Sequence, residues 1–319
     1  ISMSLEIKNL LITGGSGFIG TNLVNSLLAY SESNITIIDK YIPAFLENND
    51  RVNFVQGDLS DTILLDGIFS SNNFDLVYHL AWSSIPETSL ISPKQEINSN
   101  VLNSLNLIEL CQKNKIKKFI FLSSGGTVYG YPHTELVGED HSNNPLNPYG
   151  ISKLAVEKFI KMYSHLNDFK YIILRPSVPY GPYQNPNSRQ GVISVFLNNL
   201  LENKEFIIWG DGENKRDFFF IDDLTDAMIK SSFSSEIYNF TFNVGGLESI
   251  TLNNLLGILK STFSKKINVK YEPGRNFDVP NVNLDCSLIK NKLNWKPITT
   301  IDVGIRKTFD WLESYKKNK

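Results

Sequence analysis

One segment, TGGSGFIG at residues 13–20, constrains the fold more than any other part of the 319-residue sequence. It stands between a short apolar run at 9–13 and a stretch with helical apolar spacing at 18–30. Glycine lets a backbone turn tightly and approach a pyrophosphate, which then meets the free N–H groups and the positive end of the helix. A glycine triplet alone also suits an ordinary strand-to-helix turn, but the flanking pattern favours a dinucleotide site. The residues predicted to form it are Gly14, Gly17, Phe18, Ile19 and Gly20.

Short β-branched runs alternate with amphipathic stretches through the first half of the chain. This alternation is the βαβ rhythm of a parallel sheet with helices on both faces. Strands are predicted at 9–13, 35–39, 52–56, 76–80, 119–123 and 171–175, and helices at 18–30, 101–113 and 148–163. We therefore predict an α/β fold, a Rossmann doubly wound parallel sheet.

A second, smaller lobe is predicted after Arg175, where proline and glycine become frequent and indicate a long irregular connection. The runs at 218–221 and 240–244 resemble strands that return to the first sheet, so we expect interleaved lobes. The predicted division is a Rossmann domain at 1–176, with a returning segment at about 217–247, and a substrate lobe at 177–319.

Asp39 indicates which dinucleotide binds. It ends the second predicted strand, 19 residues beyond Gly20. A carboxylate there accepts hydrogen bonds from the ribose hydroxyls and repels a 2′-phosphate. The sequence thus favours NAD over NADP, and the adjacent Lys40 is the one feature that keeps NADP open.

Further cofactor contacts are predicted at the ends of the third and fourth strands. Asp58, followed by Leu59, is placed to meet the adenine, with a helix N-cap as an equally good interpretation. If the sheet is as predicted, Leu80, Ala81 and Trp82, together with Asn100 on the next helix, lie along the cofactor.

Tyr149 and Lys153 form the predicted catalytic pair. They stand four residues apart behind Pro148, so both side chains project from the same face of a helix. A tyrosine needs its pKa lowered by about three units to act as a base at neutral pH, and a neighbouring ammonium with a cationic nicotinamide can supply this. Tyrosinate would then take a proton from a substrate hydroxyl while the carbon that bears it gives its hydride to the cofactor.

Composition and patterning exclude several classes. The 31 Lys and Arg nearly balance 33 Asp and Glu, which disfavours nucleic acid and anionic membranes as partners. The apolar run at 10–12 is followed at once by glycines, so it predicts neither a signal sequence nor a membrane span, and we expect a cytoplasmic protein.

No metal site is predicted. Cys111 and Cys286 lack metal-ligand spacing. Asp222 and Asp223 lie between a strand and a helix, so a cap and a fold contact are expected. His79, at a strand end among apolar residues, is expected to be a core histidine.

Taken together, these residues resemble the extended short-chain dehydrogenase/reductases, and within them the NAD-dependent sugar epimerase/dehydratase family. The resemblance runs from TGGSGFIG through GDL, HLA, SSGGTVYG, PYGISK, LRPSVPYG, WGDG and RDFFFIDDL to LNWKP. It implies a C-terminal lobe that grips a nucleotide diphosphate, a homodimer built on two helices per subunit, and Tyr149 with Lys153 as the catalytic pair. The substrate contacts expected in this lobe and around the pair are Ser84, Ser124, Arg216, Arg275 and Asp278.

The chain departs from the family at two positions. Where most members carry a Ser or Thr that bonds the sugar oxygen being oxidised, this chain has Gly125; Ser124 is the favoured replacement and Thr127 its competitor. A family asparagine in the LRPSVPYG segment is replaced by Val178. Family 4,6-dehydratases have an Asp-Glu pair where this chain has Gly126 and Thr127, so water elimination is not expected.

The predicted function is 4-epimerisation of a nucleotide-activated hexose through transient oxidation at C4. The alternative is a nucleotide 4-keto-sugar reductase that uses NAD(P)H and the same residues. A non-catalytic NAD-responsive binding protein is the third hypothesis, which the presence of both Tyr149 and Lys153 disfavours. The family resemblance suggests polysaccharide biosynthesis as the pathway.

Overall fold

The structure, a computed structural model, describes residues 5–43, 49–188, 191–265, 267–274 and 282–317. Its strands, in chain order, are β1 (Asn9–Thr13), β2 (Asn34–Asp39), β3 (Val52–Gln56), β4 (Leu76–His79), β5 (Lys118–Leu122), β6 (Tyr171–Pro176), β7 (Val178–Tyr180), β8 (Phe206–Trp209), β9 (Lys215–Phe220), β10 (Phe240–Val244), β11 (Ser249–Thr251) and β12 (Val269–Glu272).

Helices cover both faces of the larger sheet and build much of the rest. They are α1 (Phe18–Tyr30), α2 (Thr62–Ser71), α3 (Pro86–Ser89), α4 (Pro93–Glu96), α5 (Asn103–Lys113), α6 (Gly125–Val128), α7 (Pro148–Asn167), α8 (Val192–Glu202), α9 (Ile221–Phe233), α10 (Leu252–Phe263), α11 (Ser287–Leu293) and α12 (Ile301–Lys317). A π-helical turn, Ile97–Leu102, leads into α5. None of the helices in the described ranges is long and apolar enough to cross a membrane.

The main sheet has the order β3-β2-β1-β4-β5-β6-β10, and all its neighbours are parallel. Alternate residues of β1 feed opposite faces: Leu10 and Ile12 join one apolar cluster and Leu11 joins the other. The strand order reverses between β1 and β4, and ligands of doubly wound sheets bind at the carboxyl ends of such neighbouring strands. The fold class predicted from the sequence is confirmed.

One predicted strand joins a different sheet. Phe240–Val244 pairs with β6 as expected, but the run at 218–221 lies in β9 and at the start of α9, and β9 pairs with β7 and β11 in a separate three-stranded sheet. The expectation that this run returns to the first sheet was wrong, because an apolar run reports burial but not which strand lies beside it. A two-stranded sheet of β8 and β12 completes the described strands. The domain boundary at 176/177 stays a prediction.

Helix α7 divides its apolar residues between the core and the surface. Val156 and Ile160 are buried in the core, whereas Ile151 is 54% and Met162 41% exposed. The buried face also holds polar residues, among them Lys153 and Glu157. An apolar pattern cannot find such a face, because these buried groups are satisfied by internal hydrogen bonds. Asn147 caps the helix by accepting from the backbone N–H of Gly150 at 2.9 Å.

Candidate functional site

The glycine turn after β1 lies against the end of β4. Gly14 has φ +76°, and a Cβ there would lie 2.6 Å from the Ala81 nitrogen, so this close approach requires glycine. A Cβ at Gly20 would likewise meet the backbone of Gly14 at 2.4 Å. At Gly17 the nearest atom would be 3.4 Å away, so the turn is open on that side.

The amino terminus of α1 is suited to a pyrophosphate. No side chain caps it at Gly17, so the first N–H groups, which include those of Phe18 and Ile19, are available to a ligand. The Ser16 hydroxyl is buried with no hydrogen-bond partner in the described part of the chain. These features fit a dinucleotide.

Asp39 points back towards this turn. Its carboxylate accepts from the backbone N–H of Ser16 at 3.0 Å and of Tyr41 at 3.1 Å. Lys40 instead forms an ion pair with Asp58 at 2.7 Å, so its ammonium already has a carboxylate partner. The N-cap alternative for Asp58 was wrong, since Asp61 caps α2 by accepting from Leu64. Leu59 is buried in the core beneath.

Leu80, Ala81 and Trp82 follow β4 beside the turn. The Trp82 indole N–H donates to Glu96 at 3.0 Å, and the Lys153 ammonium lies 3.7 Å from the centre of the Trp82 ring. The side-chain amide of Asn100 is already hydrogen-bonded within the protein. It accepts from the Ser83 backbone N–H at 2.9 Å and donates to Glu96 at 3.0 Å. Its contact with a cofactor stays a prediction.

Tyr149 and Lys153 are brought together next to Trp82. The Lys153 ammonium donates to the Leu122 carbonyl at 2.8 Å, and the Tyr149 ring meets the Trp82 ring edge-on at 6.0 Å. Burial lowers the pKa of Lys153 to about 7, against the charges of Glu96 and Glu157, which raise it. Burial and then Glu96 raise the pKa of Tyr149, while the neighbouring Ser124 side chain lowers it. The protein alone therefore keeps Tyr149 protonated.

The two candidates for the missing hydroxyl are in different positions. The Ser124 side chain is near enough to the Tyr149 phenol to lower its pKa, whereas the Thr127 hydroxyl is buried without a partner in the described residues. A Cβ at Gly125 would lie 2.5 Å from Leu284 Cδ1 and 2.8 Å from the Arg175 carbonyl oxygen. A serine or threonine cannot occupy that position without displacing its neighbours.

A cavity of about 650 Å³ lies at the start of α7, where Asn147 lines it, and is large enough for a nucleotide sugar. Thr127, Val178 and Arg216 line it. Ser84 precedes the cavity-lining Ile85, and its hydroxyl is buried with no partner among the described residues. Arg275 and Asp278 lie outside the described residues, so their predicted substrate contacts stay predictions.

The residues to which the sequence assigned structural roles mostly have such roles in the structure. His79 is buried between the hydroxyls of Thr13 and Ser104, each at 2.8 Å, and burial lowers its pKa to about 3. Asp223 accepts from the backbone of Ile298 and Thr299, the expected fold contact, but Phe220 occupies the N-cap position of α9 and no side chain caps the helix. In the described ranges, no cluster of His, Cys, Asp or Glu is suited to a metal ion.

Glu96 was not found by sequence reasoning. It is 3% exposed and lies beside both members of the pair. Nothing in its sequence context distinguishes it from a surface glutamate, since short helix α4 has no apolar period from which burial could be read.

Comparisons with known proteins give one consistent result. The sequence profile of the NAD dependent epimerase/dehydratase family matches residues 10–245. A putative UDP-glucose 4-epimerase of Methanocaldococcus jannaschii is 34% identical, covering 96% of this chain and 98% of its own length. A dTDP-4-dehydro-6-deoxyglucose reductase of Escherichia coli is 32% identical, with 96% and 98% covered. The crystal structure of UDP-glucose 4-epimerase from Thermotoga maritima with UDP-glucose superposes with a TM-score of 0.91 at 31% identity, covering 97% of this chain and 99% of that one.

Proposed function

Because the chain belongs to the NAD-dependent epimerase/dehydratase family, we propose that it is a 4-epimerase of a nucleotide-activated hexose. The enzyme is NAD-dependent, as its family is. The observation that carries the proposal is the placement of the Lys153 ammonium 5.7 Å from the centre of the Tyr149 ring, at the start of a helix whose N-cap, Asn147, lines a cavity of nucleotide-sugar size.

The cofactor site proposed from the sequence has the features that NAD requires. Gly14, Gly17 and Gly20 leave an open turn at an uncapped helix terminus, and the Asp39 carboxylate faces it. The ion pair of Lys40 with Asp58 supports NAD rather than NADP, because the ammonium of this lysine already has a carboxylate partner. When bound, NAD supplies the hydride acceptor and donor for C4 and a positive charge beside Tyr149.

Tyr149 is the proposed proton acceptor for the sugar 4-hydroxyl and the donor when that proton returns. The position of Ser124 beside the phenol supports Ser124 as the group that holds the reacting oxygen in place of the residue missing at Gly125. Lys153, held by the Leu122 carbonyl, supplies positive charge to the phenolate. The 4-keto sugar must turn within the cavity so that its other face meets the cofactor.

Water elimination is not part of the proposal. Gly126 and Thr127 stand where a dehydratase of this family carries its acid and base, and neither residue titrates at neutral pH.

The reductase remains the second candidate, supported by the 32% identical 4-dehydro-sugar reductase. To separate the two, the protein is purified without added cofactor and denatured, and the released nucleotide is identified. The epimerase account predicts near-stoichiometric NAD, because a cofactor regenerated in place need not leave. A protein that is empty and takes up NADH or NADPH would favour the reductase.

We also propose a homodimer formed through α5 and α7, which contact each other. Both present apolar residues to the surface, including Leu102 just before α5 and Ile151, Met162 and Leu166 on α7. A second copy of the chain packed on this face would bury these apolar residues, which are exposed to solvent in the single chain. A cytoplasmic location and a role in polysaccharide biosynthesis stay predictions from the sequence.

A further inference from the structure

Glu96 is a buried carboxylate that the proposed mechanism does not use. It ends α4 and is 3% exposed. Its Oε1 atom accepts from the Trp82 indole N–H and from the Asn100 amide, each at 3.0 Å. Asn100 in turn holds the backbone of Ser83. The carboxylate thus fixes both Trp82 and the segment that carries it.

Trp82 connects Glu96 to the catalytic pair. Its ring lies under the Lys153 ammonium, 3.7 Å from Nζ to the ring centre, and meets the Tyr149 ring at 6.0 Å. An indole whose N–H is hydrogen-bonded to a carboxylate is held in one orientation and carries more electron density towards the cation on its face. Through one side chain, Glu96 therefore reaches both Lys153 and Tyr149.

Three titratable groups face the pair from the surrounding elements. Glu157, one turn along α7, is neutralised by Arg175 at 2.6 Å. His79, on β4, is held neutral by a pKa of about 3. Glu96, on α4, receives its hydrogen bonds from neutral donors and forms no ion pair within the described ranges. Of these three groups, Glu96 is the one with a negative charge that no cation in the described ranges neutralises.

We propose that Glu96 is a positioning residue that sets the pH range in which Tyr149 and Lys153 work, acting through Trp82 and through its own charge. The inference rests on the proposed function of the pair. The charge of Glu96 raises the pKa of Tyr149 and of Lys153 alike. Removing this charge lowers both pKa values, so both limbs of a bell-shaped pH profile move to lower pH. This holds whether Tyr149 or Lys153 is responsible for a given limb.

The test compares the NAD-loaded parent with Glu96→Gln, which keeps the size of the side chain and an oxygen that can accept from Trp82. We expect both limbs of the kcat/KM profile to fall by about one pH unit. The near-ultraviolet absorbance of tyrosinate, corrected with Tyr149→Phe because the chain has 13 tyrosines, should titrate at correspondingly lower pH. Glu313→Gln, at an exposed ion pair on α12, is the matched control and should leave both curves unchanged.

A second variant separates charge from packing. Glu96→Asp retains the charge but shortens the reach to Trp82, so its limbs should stay near those of the parent even if its rate falls. The proposal is overturned if the pH profile of Glu96→Gln coincides with that of the parent, or if Glu96→Asp and Glu96→Gln shift equally. In either case, a loss of activity in Tyr149→Phe would still show that the tyrosine is needed. Full turnover by Tyr149→Phe would instead refute the proposed function itself.

Discussion

The Nζ atom of Lys153 lies 3.7 Å from the centre of the Trp82 ring. This contact, with the hydrogen bond to Leu122 at 2.8 Å, holds the amine at one place in a buried setting. Because burial lowers its pKa to about 7, Lys153 can change charge near neutral pH. Lys153 is therefore not permanently charged, and Tyr149 is not ionised in the protein alone. Tyr149 loses its proton only when further positive charge is placed beside it.

Replacing Tyr149 by phenylalanine should lower kcat by about 10³-fold, because general acid–base catalysis contributes on that order. NAD binding should persist, since the glycine turn is unaffected. Steady-state kinetics and a cofactor titration measure the two effects. Tyr131→Phe, at an exposed tyrosine, is the control and should behave as the parent does. Unchanged turnover in Tyr149→Phe would contradict the role of Tyr149 as proton acceptor and donor.

Ser124 and Thr127 should differ in their effect on kcat. Ser124→Ala removes the hydroxyl beside the Tyr149 phenol, and we expect a loss of about 10- to 100-fold. Thr127→Val keeps the shape of a side chain whose hydroxyl has no partner in the described residues, so a smaller loss is expected. Parallel kinetics of the two variants decide the matter, and a larger loss in Thr127→Val would reverse the assignment.

Gly125→Ala should destabilise the fold by about 1–3 kcal/mol, because the new Cβ would meet Leu284 Cδ1 at 2.5 Å. Gly126→Ala is the matched control, since a Cβ there meets nothing within 4 Å. Thermal unfolding of the two variants should show a Tm several degrees lower for Gly125→Ala alone. Equal Tm values would mean that a lack of room for a side chain is not the reason for the glycine at position 125.

The apolar face of α7 should control assembly. Ile151→Glu places a charge in the stripe proposed to meet a second copy, and analytical ultracentrifugation should then find monomers where the parent is dimeric. Ile63→Glu, at an isoleucine 85% exposed on α2, should leave the dimer intact. A monomeric parent, or a dimeric Ile151→Glu variant, would contradict the proposed interface.

The sequence predicted the main sheet closely because most of its strands are buried apolar runs with a clear end. The positions of Gly14 and Asp39 beside the sheet edge follow from the same pattern. The residues at 218–221 were placed in the wrong sheet, since burial alone does not identify a neighbouring strand. The polar face of α7 and the carboxylate of Glu96 were not predictable either, because a buried charge is recognised only from the partners that surround it.

The most direct test of 4-epimerisation follows the hydrogen at C4 of the sugar. Nucleoside diphosphate hexoses carrying deuterium at C4 are incubated with the protein and no added cofactor, and the products are analysed by NMR and mass spectrometry. The account predicts conversion to the C4 epimer with the deuterium retained at C4, because the hydride removed from the sugar returns to the same carbon. Products that lack the deuterium, or that form only with stoichiometric NADH or NADPH, would contradict it.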